Sequence, residues 1–104
     1  MEADVTAVVI GVDPAKRSHA MAVLDEREEQ LAALQVGNDS AGYRAMLALA
    51  KRYRNRVWAI EGAGGVGAQL AQRLVAAGET VLDVPPKLST RARIMSQPWQ
   101  LSTK

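Results

Sequence analysis

The spacing of apolar and polar positions changes along the chain, and it predicts seven elements. Three short runs come first, at residues 7–13, 18–25 and 30–36, and each has the length and apolar content of a strand. Short connections between these runs favour an antiparallel meander. From residue 38 onward, two helical patterns alternate with two further strands, at residues 57–61 and 80–84. The predicted order is therefore β-β-β-α-β-α-β.

The first predicted helix carries an apolar stripe at helical spacing, formed by Tyr43, Met46, Leu47 and Ala50. Three successive side chains can cap its N-terminus: Asn38, Asp39 and Ser40. A basic group is predicted in its last turn, where cations oppose the negative end of the helix dipole: Lys51, Arg52 and Arg54. The second predicted helix is marked by Val66, Leu70 and Leu74 and closed by Gly78.

The order of the elements also predicts the sheet topology. A helical crossover joins the third and fourth strands, so the fourth strand is expected to run parallel to an earlier one. A right-handed crossover sets it beside the first strand. The expected fold is an α/β domain with a mixed five-stranded sheet in the order 3-2-1-4-5.

Composition agrees with a small globular domain. The 104 residues are 48% hydrophobic and include no cysteine, which excludes disulfides, thiolate metal sites and a thiol nucleophile. No apolar run approaches the roughly 18 residues of a membrane span, and the N-terminus lacks the features of a signal peptide. We therefore expect a cytoplasmic protein without a membrane partner.

Charge is distributed unevenly between the body of the chain and its end. Residues 1–86 contain nine lysines and arginines against eleven acids, a net charge of −2, whereas residues 87–104 contain four cations and no acid, a net charge of +4. Such a basic segment fits either nucleic acid or a solvated tail.

Two carboxylates follow buried strands that are expected to be parallel neighbours. Asp13 ends the first strand and Glu61 ends the fourth, so both should lie at the same edge of the sheet, on strands about 4.8 Å apart. Carboxylates that close repel unless a cation lies between them, and Mg²⁺ is held by one or two carboxylates with water and phosphate oxygens. The structural alternative is that Asp13 forms an Asx-type turn with Pro14 and Glu61 caps the following helix.

A glycine-rich turn follows Glu61 and offers a second interpretation. Gly62, Gly64 and Gly67 follow a strand, open a helix and precede Asp83 by about 20 residues, as in the dinucleotide-binding fingerprint. That fold normally begins with this β-α-β unit, whereas here a meander and a helix precede it. Glu61 would also place negative charge beside the pyrophosphate. A dinucleotide-binding module is therefore the less favoured reading.

Three segments together resemble the N-terminal domain of insertion sequence 110 family transposases, over residues 7–96. They are Gly11-Val-Asp-Pro-Ala-Lys-Arg17, Glu61-Gly-Ala-Gly-Gly-Val-Gly67, and Val81-Leu-Asp-Val-Pro85 followed by Ser89-Thr-Arg-Ala-Arg93. The resemblance implies a RuvC-like, ribonuclease H-like fold with a four-acid DEDD site that binds Mg²⁺ or Mn²⁺. Asp13 matches the first acid and Glu61 the second, which makes both expected metal ligands and catalytic residues.

The resemblance further implies Mg²⁺-dependent phosphodiester cleavage and strand transfer in DNA transposition. Its implied partners are DNA, a guide RNA encoded by the element, and further copies of the full-length enzyme. Lys16 and Arg17 follow Asp13 and could hold a phosphate near the metal, or form a solvated loop. Lys87, Arg91 and Arg93 are the candidate nucleic-acid contacts of the basic segment.

The sequence departs from the family at its end. The family's last two aspartates lie in a Lys-Thr-Asp segment, and its catalytic serine lies in a C-terminal domain. Residues 97–104 match neither. We therefore expect residues 1–96 to form a truncated RuvC-like domain that is inactive alone, with residues 97–104 as a non-matching tail. The alternative is a non-catalytic remnant that binds nucleic acid weakly.

Two other polar residues lie on predicted strands. His19, the only histidine, alternates with apolar residues and is expected to be packed rather than to act as a base. Asp83 could reach the site as a third ligand, but its place inside the fifth strand and the family pattern both argue against that role.

Overall fold

The computed structural model describes residues 7–85, and the seven elements follow the predicted order. Their bounds are β1 Ala7–Pro14, β2 Ser18–Leu24, β3 Gln30–Gly37, α1 Ser40–Ala50, β4 Asn55–Glu61, α2 Ala68–Ala76 and β5 Val81–Val84. The strands form one sheet in the order β3-β2-β1-β4-β5. β1 is antiparallel to β2 and parallel to β4, while β3 is antiparallel to β2 and β5 parallel to β4. The predicted topology is confirmed.

Both helices cover the same face of this sheet. Met46 and Ala50 of α1 and Leu74 of α2 belong to one core cluster with alternate residues of the central strands, among them Ile10 and Trp58. The two crossovers, β3-α1-β4 and β4-α2-β5, step across the sheet in the same direction. Right-handed crossovers that step the same way place their helices on one side, which explains the arrangement.

The helix ends differ in part from the prediction. Asp39 is the N-cap of α1, and its Oδ1 accepts a hydrogen bond from the N–H of Gly42 at 2.7 Å. Gly78 follows α2 with a φ of 89°, as expected of a C′ glycine. The basic group was wrongly placed in the last turn of α1. The helix ends at Ala50 with Lys51 as C-cap, so Arg52 and Arg54 lie beyond it.

Val66 is also placed differently from its predicted position. It precedes α2 and is 64% exposed, because the helix begins only at Ala68. The carbonyl of Gly62 accepts hydrogen bonds from the N–H groups of Gly65 and Gly67, at 2.8 and 2.9 Å. These bonds hold the chain in tight turns until Gly67, so the helical period starts later than the apolar spacing indicates.

An ion pair joins the start of β4 to the loop before β5. Arg56 Nε and Nη2 donate to Glu79 Oε1 and Oε2 at 2.8 and 2.7 Å, a bidentate geometry. The indole N–H of the fully buried Trp58 also donates to Glu79 Oε1, at 2.8 Å. The hydrogen bond from Arg56 lowers the pKa of Glu79, and the same bond raises the pKa of Arg56. This network lies at the start of β4, away from the edge where Glu61 ends the strand.

Neither described helix has the length and apolar character of a membrane span; α1 has 11 residues and α2 has 9.

Candidate functional site

Asp13 and Glu61 come together at the edge where β1 and β4 end. The parallel register pairs Val12 with Ile60, and continuing it by one residue brings Asp13 beside Glu61. On its other side Glu61 pairs with Val84 of β5. The parallel pairing of two strands that each end in an acid thus places both carboxylates at one edge.

The two acids line the same cleft. Its volume is about 520 Å³, and its walls are formed by the strand ends, the glycine-rich turn and one residue of β5. The lining residues are Asp13, Pro14, Glu61, Gly62, Gly64, Gly65, Val66 and Asp83. Asp13 is exposed and Glu61 half-buried, so the cleft is open to solvent.

The structural alternative for Asp13 is not what the described residues show. Within residues 7–85 the carboxylate of Asp13 has no hydrogen-bond partner, so it does not form the Asx-type turn with Pro14. Gly67 is the N-cap of α2 and has no side chain that could cap the helix. Capping of α2 by Glu61 stays an alternative prediction. The roles of both acids as ligands remain predictions.

Asp83 lies in the cleft and contacts the turn that follows Glu61. Its Oδ1 accepts a hydrogen bond from the backbone N–H of Ala63 at 3.1 Å, in the turn directly after Glu61. The N–H of Gly62 donates to the carbonyl of Val84 at 3.0 Å, so β5 holds this turn at two points. Among residues 7–85 no three His, Cys, Asp or Glu side chains are grouped to hold a metal ion. Asp83 thus positions the turn, a contact that the sequence analysis missed.

The glycine-rich turn packs tightly against the strand ends. Gly62 has a φ of 66°, in the left-handed region that glycine adopts at low cost. A Cβ on Gly67 would lie 2.9 Å from Ile60 Cγ2, 3.0 Å from Pro14 Cγ and 3.2 Å from the carbonyl oxygen of Glu61. The turn therefore touches residues adjoining both acids, and its shape and the spacing of the acids depend on each other.

The loop after Asp13 is braced by His19. His19 is 5% exposed; its Nδ1 accepts from the N–H of Ala15 at 3.4 Å, and its Nε2 lies 3.1 Å from Asn38 Oδ1. Asn38 Nδ2 in turn donates to the carbonyl of Lys16 at 3.0 Å. These partners assign the proton to Nε2. His19 is packed, as expected, and it fixes the backbone of the loop that carries Lys16 and Arg17.

The basic candidates divide between described and undescribed parts of the chain. Lys16 and Arg17 are both exposed, on the β1–β2 loop three and four residues beyond Asp13. Lys87, Arg91 and Arg93 lie outside the described residues.

The two carboxylates in this open cleft are suited to binding a hard cation, which prefers oxygen ligands. Carboxylate oxygens are the protein ligands that Mg²⁺ prefers, and Mg²⁺ keeps several waters when it is bound by only one or two of them. The donor chemistry of Asp13 and Glu61 therefore fits Mg²⁺ or Mn²⁺.

Comparison with known structures supports the fold. The large terminase nuclease from the thermophilic phage G20c is similar, with a TM-score of 0.64 and 18% sequence identity. The similarity covers 88% of this chain and 52% of the nuclease chain, so this chain spans about half the length of that structure. At this identity the similarity shows the fold alone, which is ribonuclease H-like.

Comparison with curated proteins found no match. The sequence profile of the DEDD transposases of insertion sequence 110 matches residues 10–99. The matched region contains both acids, the glycine-rich turn and every strand from the middle of β1 onward. The chain belongs to the insertion sequence 110 family of DEDD transposases.

Proposed function

We propose that this chain is the part of a DNA transposase that binds divalent metal for phosphodiester cleavage, and that Asp13 and Glu61 are its metal ligands. The observation that carries the proposal is the placement of these two acids side by side at the ends of β1 and β4, in one open cleft. Membership of a transposase family supports DNA as the substrate. Mg²⁺ or Mn²⁺ would supply charge stabilisation at the scissile phosphate.

The residues of the chain contribute position and electrostatics. Asp13 and Glu61 would hold the ion at the edge of the sheet, and Asp83 would keep the turn after Glu61 in place through Ala63. Two carboxylates leave most positions around the ion to water and phosphate oxygens. Two-metal chemistry needs more fixed ligands than these, so we expect residues 1–104 alone neither to cleave nor to join DNA.

Lys16 and Arg17 are the described candidates for contacts to phosphate, since both are exposed and close to Asp13 in the chain. Their loop is held by His19 and Asn38, so the cations would be presented from a fixed backbone. Lys87, Arg91 and Arg93 would add sequence-independent, salt-sensitive binding. A guide RNA and a homo-oligomeric enzyme in the cytoplasm complete the proposal.

Metal titration tests the two ligands directly. We expect weak binding of Mn²⁺ or Mg²⁺, measured by calorimetry, to fall at least about tenfold in the Asp13→Asn, Glu61→Gln double variant, because both charged ligands are lost. Thermal unfolding of the variant checks that it remains folded under the conditions of the titration.

The matched control for this titration is Asp83→Asn. It removes a third charge from the same cleft but keeps an oxygen that can accept from Ala63, so metal affinity should change less than in the double variant. Parental affinity in the double variant would contradict the metal-site proposal and favour a non-catalytic nucleic-acid-binding domain.

The chain should not bind dinucleotides. The N–H groups of Gly65 and Gly67 both donate to the carbonyl of Gly62, so the turn uses amides that a pyrophosphate would need, and Glu61 opposes an anion beside it. Calorimetry with NAD and FAD should show no binding. Micromolar affinity for either would reverse this ranking of functions.

A further inference from the structure

The outer edge of β3 lacks most of the features that keep strand edges from pairing. In the described part of the chain no strand pairs with this side of β3, which ends the sheet. Its 8 residues, Gln30–Gly37, include no charged residue and no proline. The other edge strand, β5, has only 4 residues, contains Asp83 and is followed by Pro85. Natural sheets protect edges by shortness, charge, proline or bulges, and of these β3 has only an irregularity at its start, where its register with β2 shifts between Val23 and Leu24.

Beside this edge runs an apolar groove between β3 and α1. Its volume is about 600 Å³, and alanine and leucine side chains form most of its wall, with Arg52 at its margin. Ala41, Ala45 and Ala48 are exposed on α1 at positions i, i+4 and i+7. Side chains this small allow a second helix to approach closely.

The two ends of the edge carry opposite charge. The turn before β3, residues 25–29, holds four acids and Arg27, a net charge of −3. At the other end of β3 lie Lys16 and Arg17, whose carbonyls accept hydrogen bonds from the side chain and backbone of Asn38. A strand that pairs antiparallel with a copy of itself brings each acidic end against a basic end, whereas a parallel copy would bring like charges together.

We propose that the outer edge of β3 is a dimerisation surface, at which a second copy of this chain pairs antiparallel to form a continuous ten-stranded sheet. A two-fold axis perpendicular to the sheet relates the copies, so all the helices lie on one face and the two α1 helices meet across the axis. The acidic turn of each copy then faces Lys16 and Arg17 of the partner subunit. These charges form the rim, where they stay open to solvent and set orientation more than affinity.

The pairing constrains the register. In an antiparallel pair, two residues directly opposite each other point to the same face of the sheet. The two-fold axis must therefore pass close to one residue of β3, because an axis between two neighbouring residues would pair side chains that point to opposite faces. Ala33 and Leu34 lie at the centre of β3, and Ala33 is the exposed one of the two. With the axis at Ala33, the side chain at position 33 lies directly opposite its own copy. With the axis at Leu34, it lies diagonal to its copy.

A charged side chain at position 33 should disrupt the proposed dimer, which provides the first test. Sedimentation analysis of the 104-residue chain should show mass rising with concentration from the 11.2 kDa monomer toward twice that value. Ala33→Lys brings like charges together at the axis, and we expect the monomer–dimer midpoint to move at least about tenfold higher. The matched control is Leu82→Lys, at a 45% exposed position on β5, which should leave the midpoint unchanged. Thermal unfolding of each variant checks that its monomer remains folded.

Cross-linking tests the same surface without disrupting it. The chain has no cysteine, so a short bis-maleimide can join copies of Ala33→Cys only through position 33. We expect efficient dimer formation with Ala33→Cys and little with Val75→Cys, a 58% exposed position on α2, which packs beside β5. Reversing the charges of Glu26 and Glu29 should weaken the dimer, and also reversing Lys16 and Arg17 should restore it.

The proposal does not depend on the metal site, so the two can fail separately. A chain that stays monomeric at the highest attainable concentration would overturn it. Equal cross-linking through positions 33 and 75, or equal shifts from Ala33→Lys and Leu82→Lys, would overturn it as well.

Discussion

Replacing Glu79 with alanine is expected to destabilise the domain by about 2–4 kcal/mol, measured as the free energy of unfolding in urea. Glu79 is 7% exposed in its side chain and accepts hydrogen bonds from both Arg56 and Trp58. Its loss leaves a largely buried guanidinium without its counterion and the indole N–H of Trp58 without an acceptor. The corresponding change at an exposed acid, Glu26→Ala, should stay within about 0.5 kcal/mol.

The same network predicts how stability depends on pH. The hydrogen bond from Arg56 lowers the pKa of Glu79 in the folded chain, and the hydrogen bond from Trp58 and the charges of Arg56 and Lys51 act in the same direction. A depressed carboxyl pKa contributes stability that is fully present above the unfolded-state pKa and is lost as pH falls through the folded-state pKa. The stability gap between the parent and Glu79→Gln should therefore narrow in acid below the usual carboxyl range.

Unfolding curves of the two proteins between neutral and acid pH measure this gap, and taking the difference removes the contributions of the other acids. A gap that stays constant or widens in acid would show that the charge of Glu79 does not stabilise the fold.

The second large effect is expected at Gly67. Gly67→Ala should destabilise the domain by about 1–3 kcal/mol, because the added methyl group meets three neighbours that cannot easily move. Ile60 is fully buried, Pro14 is a rigid ring, and the third neighbour is the backbone carbonyl of Glu61. Pro14 follows Asp13 in the chain, Ile60 precedes Glu61, and the carbonyl belongs to Glu61 itself. A displacement of these neighbours should therefore lower metal affinity together with stability.

Gly64→Ala is the matched control within the same turn. A Cβ on Gly64 would meet no atom within 4 Å, and its φ lies outside the left-handed region. The Gly64→Ala variant should change the free energy of unfolding by less than about 0.5 kcal/mol and leave the metal affinity unchanged. Should Gly67→Ala match Gly64→Ala in both unfolding and metal titration, the turn would not set the spacing of the acids.

Much of the fold follows from local patterns. The apolar runs, the change from strand to helical period and Gly78 locate the elements to within a few residues, because each reflects burial or backbone conformation at that point of the chain. The strand order could also be predicted, since short connections favour antiparallel neighbours and crossovers are right-handed. The two acids were found for the same reason, as each directly follows an apolar strand.

The features that were missed depend on contacts between distant residues. Asp83 was weighed as a ligand by its reach, but whether its carboxylate meets a metal or the N–H of Ala63 depends on how β5 lies beside the glycine-rich turn. Val66 fits a helical period with Leu70 and Leu74, yet hydrogen bonds to the carbonyl of Gly62 delay the start of α2. Each outcome was set by competition between local preference and a tertiary contact.

The sequence by itself determined which residues are buried, where the chain turns, and that Asp13 and Glu61 end strands, because side-chain chemistry and spacing dictate these properties locally. Only the tertiary structure decided that Glu79 stabilises Arg56 and Trp58, residues 23 and 21 positions away, and that both acids share one cleft with the glycine-rich turn. The physical reason is that the register and order of the strands bring together residues far apart in the chain, and no local pattern encodes such a distance.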